Sequence, residues 1–236
     1  MNFMPPSKLT KTGIEGLDEQ LGGGLPEKSL ILLLGEPGSG IDVFAQQVLF
    51  SKASKGEKVI YFTAERAPAD IEEEMRLFGW DLEKAKADGS WAFIDAYTPR
   101  HARTTARVGA ITILRTDLIP KIEEGAYSTI DSISHMLLMF DLRDVVDTME
   151  LLTIRAREKG GLHFILMGRG MHDPKTVSTM THIVDGVFEF LSRERARELE
   201  RLIRIRKMRR AVYGIHLLPF RITERGIVVE TAIRIA

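Results

Sequence analysis

The sequence predicts an α/β fold with a mostly parallel sheet, helices on both faces and an antiparallel, β-rich tail. Three observations carry this: short apolar runs alternate with helical patterns, a glycine-rich turn joins the first run to the first helix, and closely spaced strand-like stretches replace helices after residue 184. The chain has 236 residues, 44% apolar and 28% charged, which suits a globular domain and excludes collagenous, disordered or disulfide-stapled architectures.

In order along the chain, Leu30 to Leu34 is an apolar run ended by Gly35. Val43, Phe44, Gln47, Val48 and Phe50 follow at three- and four-residue spacings, giving strand, turn and helix. Val59 to Thr63 reads as the next strand, and Pro68 opens a helix whose first turns hold Asp70, Glu72, Glu73 and Glu74. Trp91 to Ile94 and Thr129 to Ile130 read as strands, with a helical pattern from about Gly109 to Glu124 between them. Leu142 to Glu158 is an amphipathic helix, and Leu162 to Met167 a buried strand after the Gly160-Gly161 break. Val184 to Leu191, Leu202 to Met208, Tyr213 to Phe220 and Ile227 to Thr231 complete an antiparallel extension. Without a repeat or linker the chain reads as one domain, 1–236: an N-terminal segment 1–28, an α/β core 29–192 and a C-terminal extension 193–236.

Composition removes several function classes. Zero cysteines exclude disulfides, thiolate nucleophiles and Cys-ligated metal. The longest apolar runs, Leu30 to Leu34 and Met136 to Phe140, are about five residues against the roughly twenty of a spanning helix, so no membrane partner is expected. The N-terminus carries no apolar targeting stretch, and a cytoplasmic location is expected. One Asn, three Gln and no Cys fit a high-temperature source. With 33 basic and 33 acidic residues no global field favours nucleic acid, although Arg193 to Arg210 holds nine basic residues and three Glu, a local net of +6.

The first strand runs into Gly35-Glu36-Pro37-Gly38-Ser39-Gly40-Ile41-Asp42. This matches G-x-x-x-x-G-K-[ST] at both glycines and at neither Lys nor Ser/Thr. Glycines let backbone N–H groups turn into an anion nest, and the next helix aims its N-terminus at the same point. The blocks around the loop resemble the KaiC-like branch of the RecA superfamily over nearly the whole chain. They are Thr12-Gly13-Ile14-Glu15-Gly16-Leu17-Asp18-Glu19, Leu21-Gly22-Gly23-Gly24-Leu25-Pro26, Tyr61-Phe62-Thr63-Ala64-Glu65, Phe78-Gly79-Trp80-Asp81-Leu82, Thr129-Ile130-Asp131-Ser132-Ile133-Ser134, Val184-Asp185-Gly186-Val187, Arg206-Lys207-Met208-Arg209 and Pro219-Phe220-Arg221-Ile222-Thr223. The resemblance implies a RecA-like P-loop core, an ATP and Mg²⁺ site at a subunit interface, and ring or filament assembly. It does not extend to circadian function, since the second RecA-like half of KaiC has no counterpart here.

Position by position, the resemblance places the phosphate-binding Lys at Ile41 and the magnesium-binding Thr at Asp42. A unit charge about 4 Å from phosphate at an effective dielectric near 20 is worth about 4 kcal/mol, or about three orders of magnitude in affinity. Asp42 can instead complement the helix dipole itself, or act as a Mg²⁺ ligand. Asp131 falls at the family's Walker B carboxylate, a possible Mg²⁺ position. Glu65 matches the first of two water-polarising glutamates, and the second is Arg66, which cannot accept a proton. Lys207 and Arg209 match a K-x-R pair that reaches a neighbouring protomer's γ-phosphate, and Gly168-Arg169 departs from the family's γ-phosphate sensor. His172-Asp173 and His182 read as loop and cap residues rather than metal ligands.

Three readings follow. The first is a catalytically impaired regulatory or scaffold subunit of a homo-oligomer, or of a hetero-oligomer with an active RecA-family relative. The second is an ATPase whose unconventional Mg–ATP site is completed in trans. The third is a RadA-paralogue-like DNA-binding protein using Arg100, His101, Arg103 and Arg107 with the 169–175 loop and the Arg193–Arg210 stretch.

Overall fold

The computed structural model describes residues 8–98, 109–195, 198–214 and 216–230. A short antiparallel pair, β1 (Leu9–Thr10) and β2 (Leu25–Pro26), flanks helix α1 (Leu17–Gln20) and leads into strand β3 (Ser29–Gly35). Leu30, Leu32 and Leu34 of β3 enter one buried cluster, Ile31 and Leu33 the other, so the two-residue period of a strand feeds two cores. The helical segment α2 (Ile41–Ala53) follows, then β4 (Val59–Thr63), α3 (Pro68–Leu77), α4 (Glu83–Ala87) and β5 (Trp91–Asp95). After the next connection come α5 (Ala110–Ile113), a π-helical turn (Leu114–Leu118), α6 (Ile119–Glu123), β6 (Tyr127–Asp131), α7 (Ile133–Met139), α8 (Leu142–Lys159) and β7 (Leu162–Gly168). The chain ends with α9 (Pro174–Ile183), β8 (Gly186–Arg195), β9 (Glu198–Met208), β10 (Leu217–Thr223) and β11 (Gly226–Val229).

The main sheet has nine strands in the order β11-β10-β9-β8-β3-β7-β6-β4-β5. From β8 to β5 every neighbouring pair is parallel, whereas β9, β10 and β11 add antiparallel. Parallel strands share one carboxyl edge, so the ends of β3, β4, β6 and β7 converge where ligands bind open α/β sheets. The extension closes back on the first helix. Gln47 Nε2 donates to Ile227 O at 3.2 Å, and Ile227 N donates to Gln47 Oε1 at 2.7 Å. Phe44 packs against Phe164, Phe188 and Phe190 with centroids 5.8, 5.9 and 5.4 Å away, joining α2 to β7 and β8. The Thr12–Asp18 block is structural: the Asp18 carboxylate accepts from Thr12 N and Oγ1, both at 2.8 Å.

The α/β class and the antiparallel edge agree with the sequence reading, and four details differ. β8 pairs with β3 in parallel, so the antiparallel extension starts only at β9, and residues 192 and 193 lie within one strand. A parallel strand needs a crossover, supplied here by α9, whose Thr- and Ser-rich sequence is weak in helix formers and reads as loop. The expected 109–124 helix is broken by a π turn just before Pro120, which has no N–H for the helical ladder. The strand expected from Tyr213 begins at Leu217, because Arg210 turns through φ 63° and the ladder resumes at Leu217↔Arg204. The basic positions Arg100, His101, Arg103 and Arg107 lie outside the described residues.

His163 in β7 is fully buried. Its Nε2 donates to Gly160 O at 2.9 Å, so Nδ1 accepts from Ser128 Oγ at 2.9 Å. Burial lowers its pKa from 6.5 to about 4, against a smaller upward pull from the Gly160 carbonyl. The unfolded chain therefore binds the extra proton first, and stability present above pH 6.5 is lost as pH falls through about 4. The loss is on the order of 3 kcal/mol. Urea denaturation at stepped pH should show this decline in the native chain and a shallower one in His163→Gln.

Candidate functional site

The loop from Gly35 to Asp42 joins β3 to α2, and its glycines answer to packing. A Cβ at Gly35 would stand 2.2 Å from Ser39 Oγ and 2.8 Å from Ile41 Cγ2. Gly40 has φ 90°, and a Cβ there would stand 2.8 Å from Ile222 Cδ1 on β10. Ile41 packs partly buried against the core cluster on the α2 side of the sheet. The Asp42 carboxylate turns onto its own helix and accepts from Val43 N at 2.9 Å, meeting a donor that the helix leaves unpaired.

The carboxyl edge completes a cleft of about 200 Å³ lined by Gly35, Glu36, Pro37, Gly38, Gly40, Ile41 and Asp42, with Glu65, Arg66, Asp131, Ser132, Leu166, Gly168 and Met171. Four acidic residues line it, Glu36, Asp42, Glu65 and Asp131, with one arginine, Arg66.

Asp131 ends β6 and is buried. Its Oδ2 accepts from Tyr61 Oη at 2.8 Å and from Arg66 Nη2 at 3.0 Å. Desolvation raises its pKa, with Arg66 and Tyr61 opposing the rise and Asp42 adding to it. Arg66 reaches three carboxylates: Asp131, Glu74 of α3 through Nη1, and Asp42, whose Oδ2 lies 4.0 Å from Nη2. Burial alone would lower the Arg66 pKa, but Asp131, Tyr61 and Glu74 outweigh it and the net shift is upward. Thr63 Oγ1 donates to Arg66 O at 2.6 Å and fixes the turn that carries it. Glu65 is exposed and accepts from Ser132 Oγ.

The sequence-chosen residues fall into two groups. Gly35 to Asp42, Glu65 and Asp131 meet in the cleft. Lys207 and Arg209 do not, because they sit at the amino edge beside Val187 and Asp185, whereas Gly35 pairs with Phe190 at the other end of β3. In the ladder Lys207 is level with Leu32 and Arg209 with Leu30, about 10 and 17 Å along the strand from Gly35. The Lys207 ammonium donates to Thr181 O, His182 O and Val184 O at 2.8, 2.9 and 2.6 Å, capping the end of α9. Desolvation lowers its pKa, and Arg209 adds to that. Arg209 is exposed and, among the described residues, its side chain enters no ion pair given by the geometry. Much of the basic stretch is committed internally: Arg204 and Arg206 to Glu189, Arg193 to Glu200, and Arg210 to Lys28 O and Asp185. Asp173 caps α9 by accepting from Lys175 N and Thr176 N, and among the described residues no His or acidic group forms a metal cluster. Gly168 N donates to Ser134 Oγ at 2.8 Å and Arg169 N to Gly35 O at 2.8 Å, so this turn braces the loop.

Sequence reading missed Glu74, Tyr61 and the role of Arg66 as a clamp. One signal was available: position 42 gains a carboxylate while position 66 gains a cation, a compensating pair.

The glycine-framed loop between a central parallel strand and a helix, with a carboxylate ending a nearby strand, defines a RecA-type P-loop protein. A family model described as ATPase: KaiC matches residues 10–233, and the chain belongs to that family. It is 31% identical over 237 residues to a UPF0273 protein of Pyrococcus furiosus, covering 94% of each chain. It is 32% identical over 242 residues to a UPF0273 protein of Methanocaldococcus jannaschii, covering 94% of this chain and 96% of that one. The crystal structure of a KaiC-like protein from the hyperthermophilic archaeon Pyrococcus horikoshii is similar with a TM-score of 0.81 at 29% identity, covering 95% of this chain and 100% of that one. Family membership makes nucleotide and Mg²⁺ the ligands to test. The glycine cradle fits a phosphate, but the residues present do not fit the metal: Asp131 Oδ2 is shared by Tyr61 and Arg66, and the same Arg66 nitrogen faces Asp42.

The two edge residues are separable by experiment. Lys207→Met should cost about 1–3 kcal/mol through three carbonyls left without a donor. Arg209→Ala should stay within about 0.5 kcal/mol. Chemical denaturation of both variants checks this.

Proposed function

We propose that the chain is a catalytically impaired KaiC-like subunit, kept as a regulatory or scaffold member of a homo-oligomer or of a hetero-oligomer with an active RecA-family relative. One observation carries this reading: the cleft meets an incoming polyphosphate with Glu36, Asp42, Glu65 and Asp131 and with a single guanidinium already bound to carboxylates. Ile41 adds no charge where a Lys would stand, which removes about 4 kcal/mol of attraction. Asp42 takes up a helix N-terminal donor that a phosphate would otherwise use. The folding machinery around the loop is intact, from the Thr12–Asp18 turn to the Gln47 clamp on β11.

The proposed assembly is head to tail. Arg209 at the amino edge of the sheet and the cleft at the carboxyl edge lie on different faces, as a heterologous interface requires. In that arrangement Arg209 acts toward a neighbour, while Lys207 holds the end of α9 in its own chain.

Calorimetric titration with Mg–ATP should give no heat of binding for the native chain and measurable binding for Ile41→Lys/Asp42→Thr, which restores the loop's charge. ATP turnover by the native chain that Asp131→Ala abolishes would overturn the reading. Sedimentation across a concentration series should show association that Arg209→Glu weakens by about tenfold or more.

A further inference from the structure

We propose that the far half of the β8–β9 hairpin is an arm by which copies of this chain join, the β8 edge of one arm adding as a strand to the β9 edge of the next. β8 keeps β3 as a neighbour only as far as the Gly35↔Phe190 pair, and β9 keeps β10 only as far as Phe220↔Arg201. β10 then leaves with β11, which Gln47 holds on α2. The hairpin nevertheless continues through Arg193↔Glu200, Glu194↔Leu199 and Arg195↔Glu198. It therefore stands about 17 Å beyond the end of β3. Among the described residues no strand lies against either outer edge of this arm, and Ser192, Arg193, Glu194 and Leu199 are exposed.

A two-stranded ribbon is marginal in water by itself, and its free edges present backbone donors and acceptors to a further strand. The charges on the arm select which strand that is. Directly opposite residues of an antiparallel pair share a face, and like charges set opposite each other are destabilising. A two-fold pairing of β8 with β8, centred on Arg193 or Glu194, sets like charges together, and so does one of β9 with β9 centred on Leu199 or Glu200. β8 against β9 of the next copy repeats the register within the arm and sets Arg193 on Glu200. Each Arg193 then lies between the neighbour's Glu200 and its own, whose Oε2 accepts from Arg193 Nε at 2.6 Å, and a guanidinium has donors enough for both. This addition is heterologous, so it continues from copy to copy unless a ring closes. The inference goes beyond the scaffold reading, because it uses neither the cleft nor Arg209 and is tested without nucleotide.

The chain has no cysteine, so introduced thiols report the contact without interference. Opposite Cα atoms in an antiparallel pair lie about 5 Å apart, a span that a disulfide bridges. Full-length chains carrying Arg193→Cys and Glu200→Cys, mixed and treated with a thiol oxidant, should form a mixed dimer about tenfold or more faster than either variant dimerises alone. Glu200→Cys mixed with Glu158→Cys, on the exposed face of α8, should crosslink as slowly as the single variants. In sedimentation Arg193→Glu should weaken self-association about tenfold, and Arg193→Glu/Glu200→Arg should restore it. Dimers of Arg193→Cys or of Glu200→Cys alone that form as fast as the mixed dimer would show two-fold pairing and overturn the inference. So does a mixture that crosslinks no faster than the Glu158→Cys control. Should either cysteine variant melt below the native chain, the charge swap decides, and failure of Arg193→Glu/Glu200→Arg to restore association overturns the inference. ATP turnover by the native chain would end the scaffold reading and leave these results as they stand.

Discussion

Removing a carboxylate from water costs several kcal/mol unless a cation accompanies it, and this sheet buries three, at Asp131, Asp185 and Glu189. Each is answered by arginine from elsewhere in the chain. Asp131 has Arg66 from the turn after β4, Asp185 has Arg157 from α8 and Arg210 from the turn after β9, and Glu189 has Arg204 and Arg206 across the β8–β9 ladder. Asp185 also accepts from Leu30 N at 3.2 Å, which ties the start of β3 to the α9–β8 junction. These pairings bind helices and antiparallel strands to a parallel sheet whose core is otherwise apolar, and the placing of the central strands depends on them.

The same requirement shapes the cleft. In a P-loop enzyme a lysine and a metal ion supply the positive charge and the phosphates supply the negative. Here an apolar Ile41 faces the loop, Asp42 supplies the negative charge, and Arg66 supplies the positive. Arg66 answers the buried Asp131 and reaches Asp42, while Glu36 and Glu65 leave the carboxyl edge acidic.

The α/β class, the loop and most strands were legible in the sequence because each is written locally, as apolar alternation or as glycines at fixed spacing. Asp131 and Glu65 were singled out through the family resemblance, and both line the cleft beside the loop. What escaped depends on distant pairing. The Arg66–Glu74 contact spans a turn and most of a helix, and nothing in that spacing distinguishes it from two solvated charges on an acidic helix. Lys207 was singled out by the K-x-R resemblance, and its contacts with the end of α9 depend on a helix that the strand pattern does not reveal. The direction of β8 was hidden by the weak helical signature of α9, since a missed crossover turns a parallel strand into an apparent hairpin.

Gly35 and Gly40 carry a consequence for how such chains drift over time. Their missing side chains make room for Ser39, Ile41 and Ile222, all parts of the protein itself. Folding alone therefore penalises any replacement at these two positions, with or without a ligand. Positions 41 and 42 are held by looser ties, Ile41 by partial packing on the core and Asp42 by one helix N–H, so the outline of the loop is fixed more tightly than the residues that follow it. Ancestry and present competence are then recorded in different letters of the same eight.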